Sequence, residues 1–233
     1  MCLITIGGKF DEADLYDFYS HNSDGLGIMH SDGNNLEVKR IVTENADEAV
    51  DFYLKWSRED SVVHWRMRTH GDINLANQHP YTVLTKKDHG IDLVVMHNGV
   101  LHREPIIDRT MSDTWHFTNR RLRPVLAEKK GKITKSFVKE LENEVGGSNK
   151  LVFLDNKARL NVVNESGFIE YKGGLLSNTY AWSSWKLKES DNLLEEAVRL
   201  YPESTAYLLR EYGLTVDDIL AVEDDWAKGR WYN

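Results

Sequence analysis

Met1-Cys2-Leu3-Ile4-Thr5-Ile6-Gly7-Gly8 opens the chain, and Cys2 is its only cysteine. Residues 2–6 read as a short strand that ends at the glycine pair. Removal of Met1 would place a thiol and a free α-amine on one residue. A terminal α-amine has an ordinary pKa near ~8, so it can serve as a built-in base for its own nucleophile. Taken alone, one cysteine at position 2 also fits an inert thiol.

Outward from that strand, residues 11–19 predict a short helix with Leu15, Phe18 and Tyr19 on one side. Asp24-Gly25-Leu26-Gly27-Ile28 reads as a turn into a strand. Ser31-Asp32-Gly33-Asn34-Asn35 is a hairpin signal, and residues 36–42 alternate as a strand does. Helical spacing of Ala49, Val50, Tyr53, Leu54 and Trp56 predicts a helix over 46–57. Strands are expected over 62–68 and 93–96, and helices over 113–128 and 134–145. Lys129, Lys130, Lys132 and Lys135 surround Gly131 and read as a solvated turn. Residues 151–154, 159–163 and 167–171 then read as a meander of strands, with turns at Asp155-Asn156 and Glu165-Ser166. Strands interrupted by a helix pair imply sheets with segregated helical layers, not a doubly wound parallel sheet.

The chain has 233 residues, 41% hydrophobic and 28% charged, enough for one sizeable core without a disulfide staple. A single cysteine can form neither an internal disulfide nor a thiolate metal site, which fits a reducing compartment. There is no apolar run of the ~18 residues needed for a membrane span and no signal-peptide pattern, so a cytoplasmic protein is expected. A net charge of −8 disfavours non-specific nucleic-acid binding. His64, His70, His79, His97 and His102 show no metal-ligand spacing, so neither metal nor cofactor is expected. His79 and His97 read as hydrogen-bonded structural residues, and the tryptophans, Trp182 and Trp185 among them, as packing residues.

Four segments carry chemistry together: Met1-Cys2; Arg66-Met67-Arg68-Thr69-His70-Gly71 with Asn77-Gln78-His79-Pro80; Met96-His97-Asn98-Gly99-Val100; and Ser112-Asp113-Thr114. Cys2 offers a thiolate. Asn98 offers a side-chain amide and Gly99 a backbone N–H to a developing oxyanion. Arg66 can bind a carboxylate through two parallel hydrogen bonds, Thr69 and His70 can add to it, and Asp113 can pair an ammonium. Such a set suits an α-amino-acid amide.

With these residues in this order, the chain resembles the class II glutamine amidotransferases of the N-terminal nucleophile hydrolase superfamily. Matches fall at Cys2; at Arg66, Thr69, His70 and Gly71; at Asn77, His79 and Pro80; at His97, Asn98 and Gly99; and at Asp113 and Thr114. The segments at 24–27 and Leu176-Ser177-Asn178-Thr179 are also similar. The resemblance spans about residues 2–183. It implies an α+β fold, a four-layer αββα sandwich with Cys2 at the end of a central strand. It further implies glutamine as substrate, Cys2 as nucleophile, Asn98 and Gly99 as oxyanion donors, Arg66, Thr69 and His70 at the substrate carboxylate, and Asp113 at its ammonium. Two positions depart from the family pattern: Arg68 stands where a small residue is usual, and Met67 where an aromatic is frequent. Arg68 is expected to point into solvent along an alternating strand.

The glutaminase domain is expected to cover 1–185, followed by an acidic helical extension over 186–233. That extension holds eleven Asp and Glu against six Lys and Arg, with helices near 191–200, 203–212 and 216–227 and a cap at Thr215. It is too short for a synthase and reads as a helical cap on the sandwich, or else as a docking surface with Trp226, Trp231 and Tyr232 at its end. A separate synthase or ligase subunit would then consume the ammonia. Two other functions remain open on sequence: hydrolysis of γ-glutamyl amides in a larger molecule, and a non-catalytic binding role that retains the fold. Retention of Met1, which would block the α-amine of Cys2, would favour the second, while the intact motif set argues against it.

Overall fold

The structure is a computed structural model that describes residues 2–178. The helices expected over 191–200, 203–212 and 216–227, the extension over 186–233 and the tryptophans beyond 178 lie outside the described residues.

Two antiparallel sheets form the centre. The first is built from β1 (Leu3–Gly7), β2 (Leu26–Ser31), β3 (Leu36–Ile41), β4 (Val62–Trp65), β9 (Ile169–Tyr171) and β10 (Gly174–Leu176), in the order β3-β2-β4-β1-β10-β9. The second contains β5 (Tyr81–Leu84), β6 (Leu93–Asn98), β7 (Lys150–Asp155) and β8 (Leu160–Val163), in sequence order. Ile4, Met29 and Val62 of the first sheet meet Val94, Met96, Val152 and Leu154 of the second in one apolar cluster between them.

Each sheet carries helices on its outer face. Trp65 of β4 packs against Phe18 of α1 (Glu12–His21) and Tyr53 of α2 (Ala46–Trp56), ring centroids 5.7 Å apart in both pairs. On the other side, Val95, Leu151 and Phe153 pack with Phe117, Leu126, Phe137 and Leu141. These belong to or border α4 (Asp113–Phe117), α5 (Arg123–Glu128) and α6 (Lys135–Val145), while α3 (Lys86–His89) is one short turn. The fold is therefore α+β, layered αββα. No described helix is long and apolar enough to cross a membrane.

Local chemistry explains the helix starts. Asp11 caps α1 by accepting from the Asp14 N–H at 3.0 Å, while Asp14 accepts from the Asp11 N–H at 3.1 Å. Asn45 caps α2 and Thr134 caps α6.

Three expectations need correction. Residues 151–171 are not one meander: β7 and β8 pair in the second sheet, whereas β9 and β10 pair in the first. Asn164, left-handed at φ 58°, starts the turn that crosses between sheets, and Val162 and Phe168 both pack on the inter-sheet cluster. The helix over 113–128 is continuous but holds a π-helical turn, Thr118–Leu122, between α4 and α5. Pro124 lacks the N–H that would bond Arg120 and would crowd that carbonyl; widening the preceding turn relieves both. The strand over 62–68 stops at Trp65, and all four β4 residues are buried rather than alternating. Beyond it, Arg66 N–H bonds the Gly25 carbonyl (2.9 Å) and Asp24 N–H bonds the Arg66 carbonyl (3.0 Å), so a loop takes over the pairing. Arg68 is exposed, as expected.

Gly27 of β2 lies under the loop that carries His79. A Cβ at position 27 would stand 1.7 Å from the His79 carbonyl oxygen, against backbone that has no flexible end to yield. Gly27→Ala is expected to destabilise the fold by roughly 3 kcal/mol, in the range of severe core overpacking; urea unfolding of both proteins measures it.

Candidate active site

Cys2 precedes β1 and is held from two sides. Its S–H donates to the Met67 carbonyl at 3.2 Å, and the Met67 N–H donates back to Sγ at 3.4 Å. Asn178 Nδ2 donates to the Cys2 carbonyl at 2.7 Å. Burial pushes the Cys2 thiol above its ordinary range, opposed by the Met67 N–H and the Arg66 charge. At rest the group is a thiol, and attack needs a base.

In front of Cys2 lies a cavity of about 20 Å³, lined also by Arg66, Thr69, His70, Gly99 and Asp113. That is room for about one water. Six of the seven sequence-predicted site residues thus face one space. Thr69 and His70 are its exposed side, and Arg66 and Asp113 its buried wall.

Arg66 is only 3% exposed. Nη2 donates to the carbonyls of Asp72 (3.1 Å) and His70 (3.4 Å), while Nη1 has no hydrogen-bond partner among the described residues. Asp113 is equally buried; its Oδ2 accepts from the Leu101 N–H (2.8 Å) and its Oδ1 from the Thr114 N–H (2.7 Å). Neither residue takes part in any ion pair among the described residues. A buried charge without a counter-ion is costly. The cavity wall therefore offers one cation and one anion, each lacking an ionic partner of its own, to whatever enters.

Asn98 is placed differently. Its Nδ2 donates to Ser177 Oγ at 2.8 Å, its Oδ1 has no partner among the described residues, and it is not among the residues lining the cavity. Gly99, at φ 140°, does line it, and a Cβ there would stand 2.2 Å from Asn149 Oδ1.

His97 points to the helical side of its sheet. Asn149 Nδ2 donates to the Val145 carbonyl at 2.7 Å, which leaves Asn149 Oδ1 to accept from His97 Nε2 at 2.9 Å. His97 Nδ1 then accepts from the Thr114 hydroxyl at 2.7 Å. His97 is thus hydrogen-bonded, as expected. For His79 that expectation fails: neither ring nitrogen has a partner among the described residues. The ring instead lies against His64, tilted by 42° with centroids 4.0 Å apart, and meets Tyr81 edge-on at 4.7 Å. His64 Nε2 donates to the His97 carbonyl at 3.1 Å.

Among solved structures, the chain is similar to one described as the allosteric regulatory enzyme of purine biosynthesis, with 17% identity, a TM-score of 0.48 and coverage of 77% of this chain. It is also similar to glutamine phosphoribosylpyrophosphate amidotransferase from B. subtilis complexed with ADP and GMP, with 15% identity, a TM-score of 0.47 and coverage of 78%. The chain spans 42% of the length of each. No protein-family model matches it, and no curated protein does.

Several supporting residues escaped the assignment of roles from sequence. Ser177 accepts both the Ile4 N–H (2.8 Å) and the Asn98 amide, joining β1 to the end of β6. Asn77, fully buried, donates to the Thr110 and Asp72 carbonyls and accepts the Ser112 N–H at 2.9 Å, tying the loop after Arg66 to the start of α4. Asp24 accepts the Arg68 N–H at 2.6 Å. The motif positions of Asn77 and Ser177 were the available signal; Asn149 had none.

Burial, helped by the Arg66 charge, holds the His64 pKa at about 3, and burial puts His79 and His97 below their ordinary range. These groups stay neutral in the fold while the unfolded chain protonates near pH ~6.5. Their contribution to stability is complete above that pH and lost as pH falls below it, for His64 down to about 3. Each such proton adds a slope of about 1.4 kcal/mol per pH unit. His64→Gln retains a donor for the His97 carbonyl without titrating. Urea unfolding between pH 7 and 4.5 should show a pH dependence shallower by about one proton in that variant.

Proposed function

We propose that this chain is a glutamine-hydrolysing domain of the class II amidotransferase type, acting through Cys2 once Met1 is removed. The observation that carries the reading is the cavity wall. A thiol, a buried guanidinium without a carboxylate and a buried carboxylate without a cation meet at one space. An α-amino acid presents the complementary pair of charges, and a thiol beside it suits an amide on the side chain.

In this reading Arg66 takes the substrate α-carboxylate through Nη1, assisted by Thr69 and His70, and Asp113 takes the ammonium. The free α-amine of Cys2 accepts the thiol proton, and Sγ bonds the amide carbon as the carbonyl π pair moves to oxygen. The Gly99 N–H meets that oxyanion. Asn98 joins it after a half-turn of its amide: the Ser177 hydroxyl then donates to Oδ1, still accepts the Ile4 N–H, and Nδ2 is freed. Collapse breaks the C–N bond, and the nitrogen leaves as ammonia with the proton held by the α-amine. Water then cleaves the γ-glutamyl thioester, giving glutamate and restoring the thiol. The cavity of about 20 Å³ must enlarge to admit glutamine, and Thr69 and His70 form its exposed side. Ammonia would pass to a separate synthase or ligase subunit.

The test is the intact mass of purified protein before and after a γ-diazoketone analogue of glutamine. Loss of the Met1 mass followed by a single adduct on Cys2 is expected. Retained Met1 without an adduct would sink the reading. Cys2→Ala should retain the fold by circular dichroism and lose all glutamine turnover. Asp113→Asn should lower kcat/KM for glutamine by roughly 10–100-fold, the scale of a lost charge-assisted contact, with ammonia release as the assay.

A further inference from the structure

We infer that the cleft on the far side of Gly99 from Cys2 is a second small-molecule site, one that takes a primary ammonium carried on an apolar body. The cleft measures about 460 Å³, within the range of small-ligand pockets and far larger than the cavity at Cys2. The two share no lining residue.

In this inference Glu104 selects the ligand, in a wall that also holds His102 and Arg103. The Glu104 side chain is 11% exposed and lines the cleft. Arg120 Nε pairs with Oε1 at 3.5 Å without a hydrogen bond, and Oε1 is sealed from solvent; Oε2, which has no hydrogen bond among the described residues, is the oxygen left for a ligand. The other acidic residue of the wall, Glu144, is already engaged: Arg121 Nε donates to it at 2.9 Å and Nη2 donates to Glu140 at 2.5 Å. Leu101, Phe117 and Val145 supply the apolar floor. An ammonium seated on that floor would give Glu104 Oε2 a charge-assisted hydrogen bond.

The cleft also touches the supports of the first site. Leu101, whose N–H holds Asp113, and Asn149, whose amide holds His97, both line it. Occupancy therefore bears on Asp113. Binding itself is independent of the function proposed for Cys2; the coupling to Asp113 rests on that reading.

Phenethylammonium serves as the probe and acetate as its anionic counterpart, each titrated into the full chain by calorimetry. Phenethylammonium is expected to bind, and Glu104→Gln to weaken it at least tenfold. Ser148→Trp, an exposed wall position filled by a large ring, should block binding with Glu104 intact, so the test survives misfolding of the first variant. Absence of amine binding, acetate binding in its place, or equal binding in both variants would overturn the site. Saturating phenethylammonium should also change the rate of diazoketone labelling at Cys2 by more than threefold; an unchanged rate with intact binding removes the coupling. A Cys2 that is never labelled while the amine still binds counts against the proposed glutaminase reaction and not against the cleft.

Discussion

Central placement of β1 is the constraint on which the site depends. An edge strand would be fixed along one side only. Here β4 and β10 both pair with β1, in registers that set Leu3 opposite Trp65 and Thr5 opposite Leu176. Both neighbours then reach Cys2 itself: the continuation of β4 supplies Met67, and the continuation of β10 supplies Asn178. Main-chain groups of Met67 meet the sulfur, and the Asn178 amide holds the Cys2 carbonyl. The site needs precision most at the reacting atom, and the sheet supplies it there.

The second sheet contributes by a different route. All six residues of β6 are buried, so its end is held from both faces. Alternation along the strand sends His97 toward the helices and Asn98 toward the first sheet, where Ser177 receives it. One strand end thus braces two layers. Charge completes the picture: Arg66 and Asp113 are fixed by main-chain carbonyls and N–H groups rather than by one another. Had they paired directly, each would have spent its charge within the protein and left little for a zwitterion.

Most of the architecture was legible because its long elements repeat a period. The amphipathic spacing over 46–57 and the apolar run at 93–96 have few alternative readings. Short elements escaped: β5, four residues directly after Pro80, and β10, three residues opening on glycine. Neither is long enough to show a period, and both owe their existence to tertiary pairing. The crossing between sheets after Val163 was illegible for the same reason, since local sequence does not state which sheet a hairpin joins. For the site, the residues that face the cavity were legible as motifs, because chemistry dictates their type. Asn149 was not, because its role is defined wholly by what lies beside it in space.

The chain of bonds through Val145, Asn149, His97 and Thr114 has a direction. The Val145 carbonyl can only accept, so the Asn149 amide has one orientation, His97 one tautomer and the Thr114 hydroxyl one donor direction. Each member reads the polarity of the one before. In a combinatorial library, positions 97, 114 and 149 should then behave as a single heritable unit: sequences that change one would survive mainly where the others have changed in step.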